Sequence, residues 1–365
     1  MDREQQIMSL IRRNPFISQN EIAAAIGISR SAVAGYIASL TKKGNLRGRA
    51  YVLPEDNSVL CIGGANLDSK ATSKRPIRPA SSNPSNVKET CGGVARNIAE
   101  NLGRLSATVS LLAVVGDDQA GQWVLKETGR TGVDTSLCQV IPKEKTGTYT
   151  AFLDVTGEMH VAFADMDIYD KFDGRLIQEK WSHIAASKLA IADANLAESG
   201  LSELVARCRD HSLPLFIDPV SSEKAKKLPA DLTGVTAIFP NLEEAVELAG
   251  LTEAGVTADY AALGRAIRER GVQHVFITAG STGVFYSGDE GEKLVASIPT
   301  DVVEVTGAGD AFVAGVAYGI LQDCTYLDAC QFGLAAAHLT LQTADSVSAS
   351  LSEQSLQHTA KERLQ

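Results

Sequence analysis

From Val59 onward the chain alternates short, wholly apolar runs with longer stretches whose apolar residues recur at helical spacing, and few folds accommodate that rhythm. The runs at 59–62, 109–114, 189–191, 215–217, 237–239 and 274–278 have the length and composition of strands buried on both faces. Between several of them lie amphipathic helical stretches at 94–105, 243–248 and 260–270. Parallel strands need a crossover, usually a helix, so repeated β-α-β units imply an α/β domain with a mostly parallel sheet and helices on both faces. In such sheets ligands sit at the carboxyl ends of the strands. Residues 146–164 break the pattern and read as a β-hairpin turning through Thr156-Gly157. With the polar segment 69–88 this hairpin is expected to form a small β lid that keeps water from a reacting site.

The 365 residues, 44% of them hydrophobic, suffice for one large domain and one small one. Charge divides the same way. Residues 1–53 carry eight Lys/Arg against three Asp/Glu, a net +5 in a chain of formal charge −10, so the remainder is strongly acidic. A basic head on an acidic body predicts two different kinds of partner. The six cysteines form no C-x-x-C pair and the six histidines show no paired ligand spacing, which predicts reduced thiols and no metal cluster. The polar N-terminus and the lack of any apolar stretch of membrane-spanning length lead to the expectation of a cytoplasmic protein without membrane contact. Trp123 and Trp181 read as packing aromatics, Cys324 and Cys330 as helix-face thiols, and His338 as a helix residue toward the nucleotide side. The closing residues 351–365 read as a polar, frayed tail.

In the head, Ile7, Leu10 and Ile11 mark a first helix that ends before Asn14-Pro15. Ser18 and Glu21 form a capping-box start for a second helix, closed by Gly27. Ser29 caps a third, with Val33, Ile37 and Leu40 as its buried stripe, and Gly44 breaks it. Residues 45–53 then read as a two-strand wing. The unit, 1–53, resembles a bacterial winged helix-turn-helix, which implies DNA as a partner. Ser29, Arg30 and Ser31 would enter the major groove, and Lys42, Lys43, Arg47 and Arg49 would meet phosphates. A three-helix protein-interaction module with a solvated basic face is the plainer reading of the same residues. Residues 54–58 are the expected linker.

The most chemically pointed segment of the body is Val305-Thr306-Gly307-Ala308-Gly309-Asp310, set before the apolar helical run 311–321. Glycines at a helix N-terminus let backbone amides approach an anion. Asp310 is placed to accept a proton from an attacking hydroxyl, so the ingredients of phosphoryl transfer lie together. Gly-rich turns before helices are commonly only structural. Here the turn has company: Gly63-Gly64-Ala65-Asn66-Leu67-Asp68 after the first strand, Cys91-Gly92-Gly93-Val94-Ala95-Arg96-Asn97, Pro240-Asn241-Leu242-Glu243-Glu244, and Thr278-Ala279-Gly280-Ser281-Thr282-Gly283.

In order and spacing these segments resemble the ribokinase-like (PfkB) carbohydrate kinases over about residues 59–350. The resemblance implies an ATP- and Mg²⁺-dependent kinase with Asp310 as base and Gly307, Ala308 and Gly309 as the anion hole. It implies that Asn66, Asp68, Gly92, Gly93 and Asn97, with Asp193 and Asn195, bind the acceptor, and that Asn241, Glu244, Thr278, Gly280 and Gly283 serve ATP and its metal. Many relatives have Asp, linked to a monovalent-cation site, where this chain has Glu304, so K⁺ at Glu304 is an expectation. Asp193-Ala194-Asn195 replaces a sugar-binding glutamate of ribokinase, which argues against plain ribose.

Within the family, residues 92–102, 153–159 and 165–168, with Ala192-Asp193-Ala194-Asn195 and Asp218-Pro219-Val220-Ser221, are similar to the pseudouridine kinases. That likeness implies transfer to the 5′-hydroxyl of pseudouridine. Two alternatives stand beside it: a kinase for another nucleoside or a free sugar, and a ligand-sensing transcriptional regulator built on a kinase fold. A sensor should show a damaged catalytic set, and Asp310 with its glycines is intact. Winged-helix proteins usually bind DNA in pairs, so a homodimer is expected.

Overall fold

A computed structural model describes residues 2–14, 17–46, 58–251 and 259–361. The head is three helices: α1 (Arg3–Arg13), α2 (Gln19–Ile26) and α3 (Arg30–Lys42). Each start is capped by a side chain, with Asp2, Ser18 and Ser29 accepting from Gln5, Glu21 and Ala32 amides. Glu21 returns the bond to the Ser18 amide, completing the expected capping box, and Gly27 ends α2 in the left-handed conformation. Ile7, Ile11, Ile22, Val33, Ile37, Leu40 and Leu46 bury themselves as a core of their own. Residues 47–53 of the expected wing, Arg47 and Arg49 among them, and 54–57 of the linker lie outside the described residues. Ser58 belongs to the body instead: it is buried, and its carbonyl accepts from the Lys188 amide.

The body is built on an eight-stranded sheet of β1 (Val59–Ile62), β4 (Val109–Leu112), β9 (Leu189–Asp193), β10 (Leu215–Asp218), β11 (Ala237–Ile238), β12 (His274–Thr278), β13 (Val284–Gly288) and β14 (Gly291–Val295). Its order is β14-β13-β12-β11-β10-β9-β1-β4, parallel from β12 to β4, with β13 and β14 antiparallel at one edge. The sequence reading found the parallel strands and missed that closing hairpin.

Alternate side chains of each parallel strand enter opposite cores, as the two-residue strand period requires. Cys61, Ile191 and Phe216 face the core shared with α4 (Val94–Arg104), α11 (Ala308–Leu321), α12 (Tyr326–Leu341) and α13 (Glu353–Lys361). Ile62, Ala192 and Ile217 face the other, filled by α6 (Gly174–Ile184), α7 (Glu198–His211), α9 (Leu242–Leu248) and α10 (Tyr260–Glu269). The body also carries α5 (Gln119–Gly129), the single turn α8 (Ser222–Ala225), 3-10 turns at Asp167–Lys171 and Gly280–Thr282, and a small parallel pair, β5 (Val114–Gly116) and β6 (Gln139–Ile141).

The expected frayed tail is a correction. Glu353–Lys361 is helical, and Leu351, Leu356 and Ala360 are buried against the body, because an otherwise polar segment carries apolar residues on one helical face. Trp181 is buried and Trp123 packs against the core, in line with their reading as packing aromatics.

The lid is a four-stranded sheet, β3 (Ser85–Gly92), β2 (Asn66–Ser73), β7 (Thr148–Leu153) and β8 (Met159–Asp165), in the order β3-β2-β7-β8. The β7–β8 turn forms as expected, with Asp154 accepting from the Thr156 amide and Gly157 at φ 87°. Head and body approach closely at Gly44. A Cβ on Gly44 would run into the Ala185 carbonyl at the end of α6, so that turn needs glycine for space as well as for its positive φ of 77°.

Candidate active site

The carboxyl ends of β1, β9, β10, β11 and β12 open on one side of the sheet, and the residues expected to be functional gather there. After β1 the chain turns through Gly63 and Gly64 into lid strand β2, which carries Asn66 and Asp68. Asn66 is buried and donates to the Asp68 carboxylate at 2.5 Å, while the Tyr169 hydroxyl reaches its carbonyl at 3.4 Å. Burial pushes the Asp68 carboxyl up to about 6 against the pull of Asn66 and Lys70. A side chain on Gly92 would strike Asp68, and one on Gly93 would strike the Gly64 backbone. Both glycines are therefore demanded by close approach.

Asp193, at the end of β9, joins the loops around it. It is fully buried, and its carboxylate accepts from the amides of Gly64 and Ala95 at 2.8 and 2.9 Å and of Asn195 at 2.9 Å. These bonds go to backbone and hold the two glycine loops in place. Asn195 accepts from Lys224 Nζ at 2.5 Å.

Asp310 lies in the first turn of α11, whose N-cap Gly307 has φ 85° and where a Cβ would run into the Ser346 carbonyl. First-turn amides of a helix have no intrahelical partner, so this turn offers donors to an anion. Asn97, from the start of α4, donates to Asp310 Oδ2 at 2.7 Å and so ties the start of that helix to the first turn of α11. Burial, aided by the Asp193 and Asp68 charges, lifts the Asp310 carboxyl to about 7, while Asn97 and Arg96 oppose the shift. A carboxylate poised there can accept a proton near neutral pH.

Ala308 and Gly309 also line a cleft of about 590 Å³ with Thr278, Gly280 and Gly283, which lie together as expected. Its walls are mainly apolar, with Val284, Phe312, Leu334 and Leu341 suited to an aromatic base. His338 faces this cleft too, bonded to the Thr300 hydroxyl at 2.6 Å. Asn241 and Glu244 are not part of the lining. They form the capping box of α9, with both Glu244 oxygens taken by Asn241, next to Thr278 through an isolated parallel bridge.

The sequence reading passed over three residues. Asp218, at the end of β10, is buried, and burial with the Asp310 and Glu244 charges holds its carboxyl well above the usual range. It accepts from Val220, a β-branched residue at φ 69°, so local strain marks the site. Lys224 stands close enough for the Asp193 and Asp218 charges to act on its amine. Arg96, buried with Glu100, donates to Asn97 at 2.8 Å and fixes that residue's rotamer. The Asp218-Pro219-Val220-Ser221 segment was the available signal, yet nothing in one dimension joins it to Asp310.

Glu304 bonds within the protein. Its Oε2 receives Lys70 Nζ at 3.0 Å, and its Oε1 receives the Val305 and Thr306 amides and the Thr306 hydroxyl. The partner of the Glu304 carboxylate is thus an ammonium group from β2. In the head, Ser29, Arg30, Ser31 and Lys42 are exposed around α3, whereas Lys43 is committed to Glu4 at 2.8 Å.

Known proteins show the same two-part division. A model of the pfkB family carbohydrate kinases matches residues 56–353, and a model of winged helix-turn-helix DNA-binding domains matches residues 2–45. The uncharacterized sugar kinase YeiI of Escherichia coli (strain K12) is 33% identical over 340 residues, 93% of each chain, so that match runs into the head. The pseudouridine kinase of the same organism is 37% identical over 264 residues, 72% of this chain and 83% of its own. Among solved structures, a carbohydrate kinase from Agrobacterium tumefaciens superposes with TM-score 0.73 at 30% identity, covering 84% of this chain and 97% of that one.

Proposed function

The chain belongs to the pfkB family of carbohydrate kinases, an ATP-dependent sugar or nucleoside kinase carrying a winged helix-turn-helix region, and from that premise we propose that its acceptor is the 5′-hydroxyl of pseudouridine. The observation that carries the phosphoryl-transfer chemistry is the Asn97–Asp310 bond, which ties the acceptor loops to a buried carboxyl poised near 7 at the anion-binding turn. Asn66 and Asp68 hold the ribose hydroxyls, backed by Gly92, Gly93 and Asn97, while Lys224 donates to Asn195 and feels the Asp193 and Asp218 charges. As the hydroxyl oxygen bonds to the γ-phosphorus, its proton passes to Asp310 and the bond from phosphorus to ADP breaks. Gly307, Ala308 and Gly309 set the amides that meet the developing charge.

Mg²⁺ fits this site through its acids: the Asp310 and Glu244 charges both bear on Asp218, a like-charge repulsion that a divalent cation relieves. Among the described residues no group of three or more His, Cys, Asp or Glu could hold a metal by itself. The ion is therefore expected to bind with the donor's phosphates and water, with Asn241 and Glu244 bordering it. The test is ADP release with ATP and Mg²⁺ over pseudouridine, uridine, other nucleosides, ribose and fructose. Turnover on pseudouridine that vanishes in Asp310→Asn supports the reading; turnover only on another acceptor moves the specificity and leaves the chemistry.

The head extends the proposal. The match to winged helix-turn-helix domains and the exposed Ser29, Arg30, Ser31 and Lys42 favour DNA as a second partner, read by two copies of the chain. Exposed Met159, Val161 and Phe163 on the lid offer a face for such a dimer, and light scattering measures whether one forms.

A further inference from the structure

The lid meets the body through charges that the transfer chemistry does not use. On β2, Asp68 and Lys70 are two residues apart and so share a face. Asp68 turns to the acceptor site, and Lys70 reaches Glu304 on the segment that runs into Gly307. Directly across the β2–β3 ladder from Lys70 is Lys88. Like charges in that position repel unless each finds a partner. Lys88 finds one in Asp345, at 2.5 Å, beside Ser346, whose carbonyl crowds Gly307. The two acids thus sit on the two chain segments that meet at the anion-binding turn, and each is held by one of a pair of adjacent lid lysines.

We propose that Lys70 and Lys88 are positioning residues that latch the lid to both segments of the phosphoryl cradle, so that covering the acceptor and completing the anion-binding turn happen together. Glu304 transmits the closure: its other oxygen already gathers the Val305 and Thr306 amides and the Thr306 hydroxyl, so holding it holds the turn. The hydrogen bond from Lys70 also draws the Glu304 carboxyl down to about 2, which keeps the acid charged. Lys70 and Glu304 are about one-third exposed, and Lys88 and Asp345 more than half, so Lys70 should carry the larger share.

The inference rests on kinase activity but not on the identity of the acceptor. Amide hydrogen exchange on the full chain needs no substrate: Lys70→Met should speed exchange in 66–73 and in 303–309 together, with an unchanged melting temperature. With whichever acceptor turns over, Lys70→Met should lower kcat by about threefold and Lys70→Met/Lys88→Met by about tenfold, raising the acceptor KM while the ATP KM holds. Lys70→Arg should restore most of the loss, and Lys70→Glu/Glu304→Lys part of it. Faster exchange confined to the lid, or unchanged kcat and acceptor KM in the double variant, would overturn the latch.

Discussion

Asp310 bears on stability as well as on the proposed chemistry. Its folded pKa of about 7 lies above the ordinary carboxylate value, so below pH 4 it favours the folded state, and that contribution is lost as pH rises through 7. Asp310→Asn removes the titration. Its melting temperature should exceed that of the natural chain, by an amount equivalent to about 2 kcal/mol at pH 5 and up to about 4 kcal/mol at pH 8. Activity should move the other way, dropping about 10²- to 10⁴-fold, while the natural enzyme's kcat/KM rises with pH through about 7. Asn97→Ala takes away the hydrogen bond that favours the charged form, so the midpoint of that rise should shift upward; an unmoved midpoint would show that Asn97 does not tune the base. The glycines and Asp310 were legible because each belongs to a local motif. Lys224, Asp218 and the Lys70 partner of Glu304 were not, because their roles come from neighbours far away in sequence.

At the scale of elements, strands, helices and turns followed local chemistry closely where the pattern was strong. β1 and β12 match their expected bounds, and the β7–β8 turn forms on Thr156-Gly157. The antiparallel pair β13–β14 escaped because its outer strand is mostly exposed and lacks an apolar run. Helix α13 escaped because its apolar positions are few, and only the body they dock on reveals their purpose. Leu356 is fully buried, so Leu356→Ala should cost about 2–5 kcal/mol, read as a lowered denaturant midpoint. A tail frayed in solution would tolerate the change.

Over the whole molecule the two units should be separable in function. Arg30→Ala should weaken DNA binding in a gel-shift assay and leave phosphotransfer intact, since Arg30 is exposed on the head and remote in sequence from every site loop. Equal loss of both activities would contradict modular action and point to the Gly44–Ala185 contact as a coupling. Among the described residues no single helix is long and apolar enough to cross a membrane. The sequence by itself determined the α/β architecture, the head's three helices, the lid and the positions of the glycine loops, because strand period, helix period and turn chemistry act over a few residues. Only the tertiary structure decided that Asp193 serves backbone amides, that an ammonium group meets Glu304, that residues 353–361 dock, and that Asp218 confronts Asp310. Those outcomes depend on burial and on charges brought together across scores of residues, and no local pattern records them.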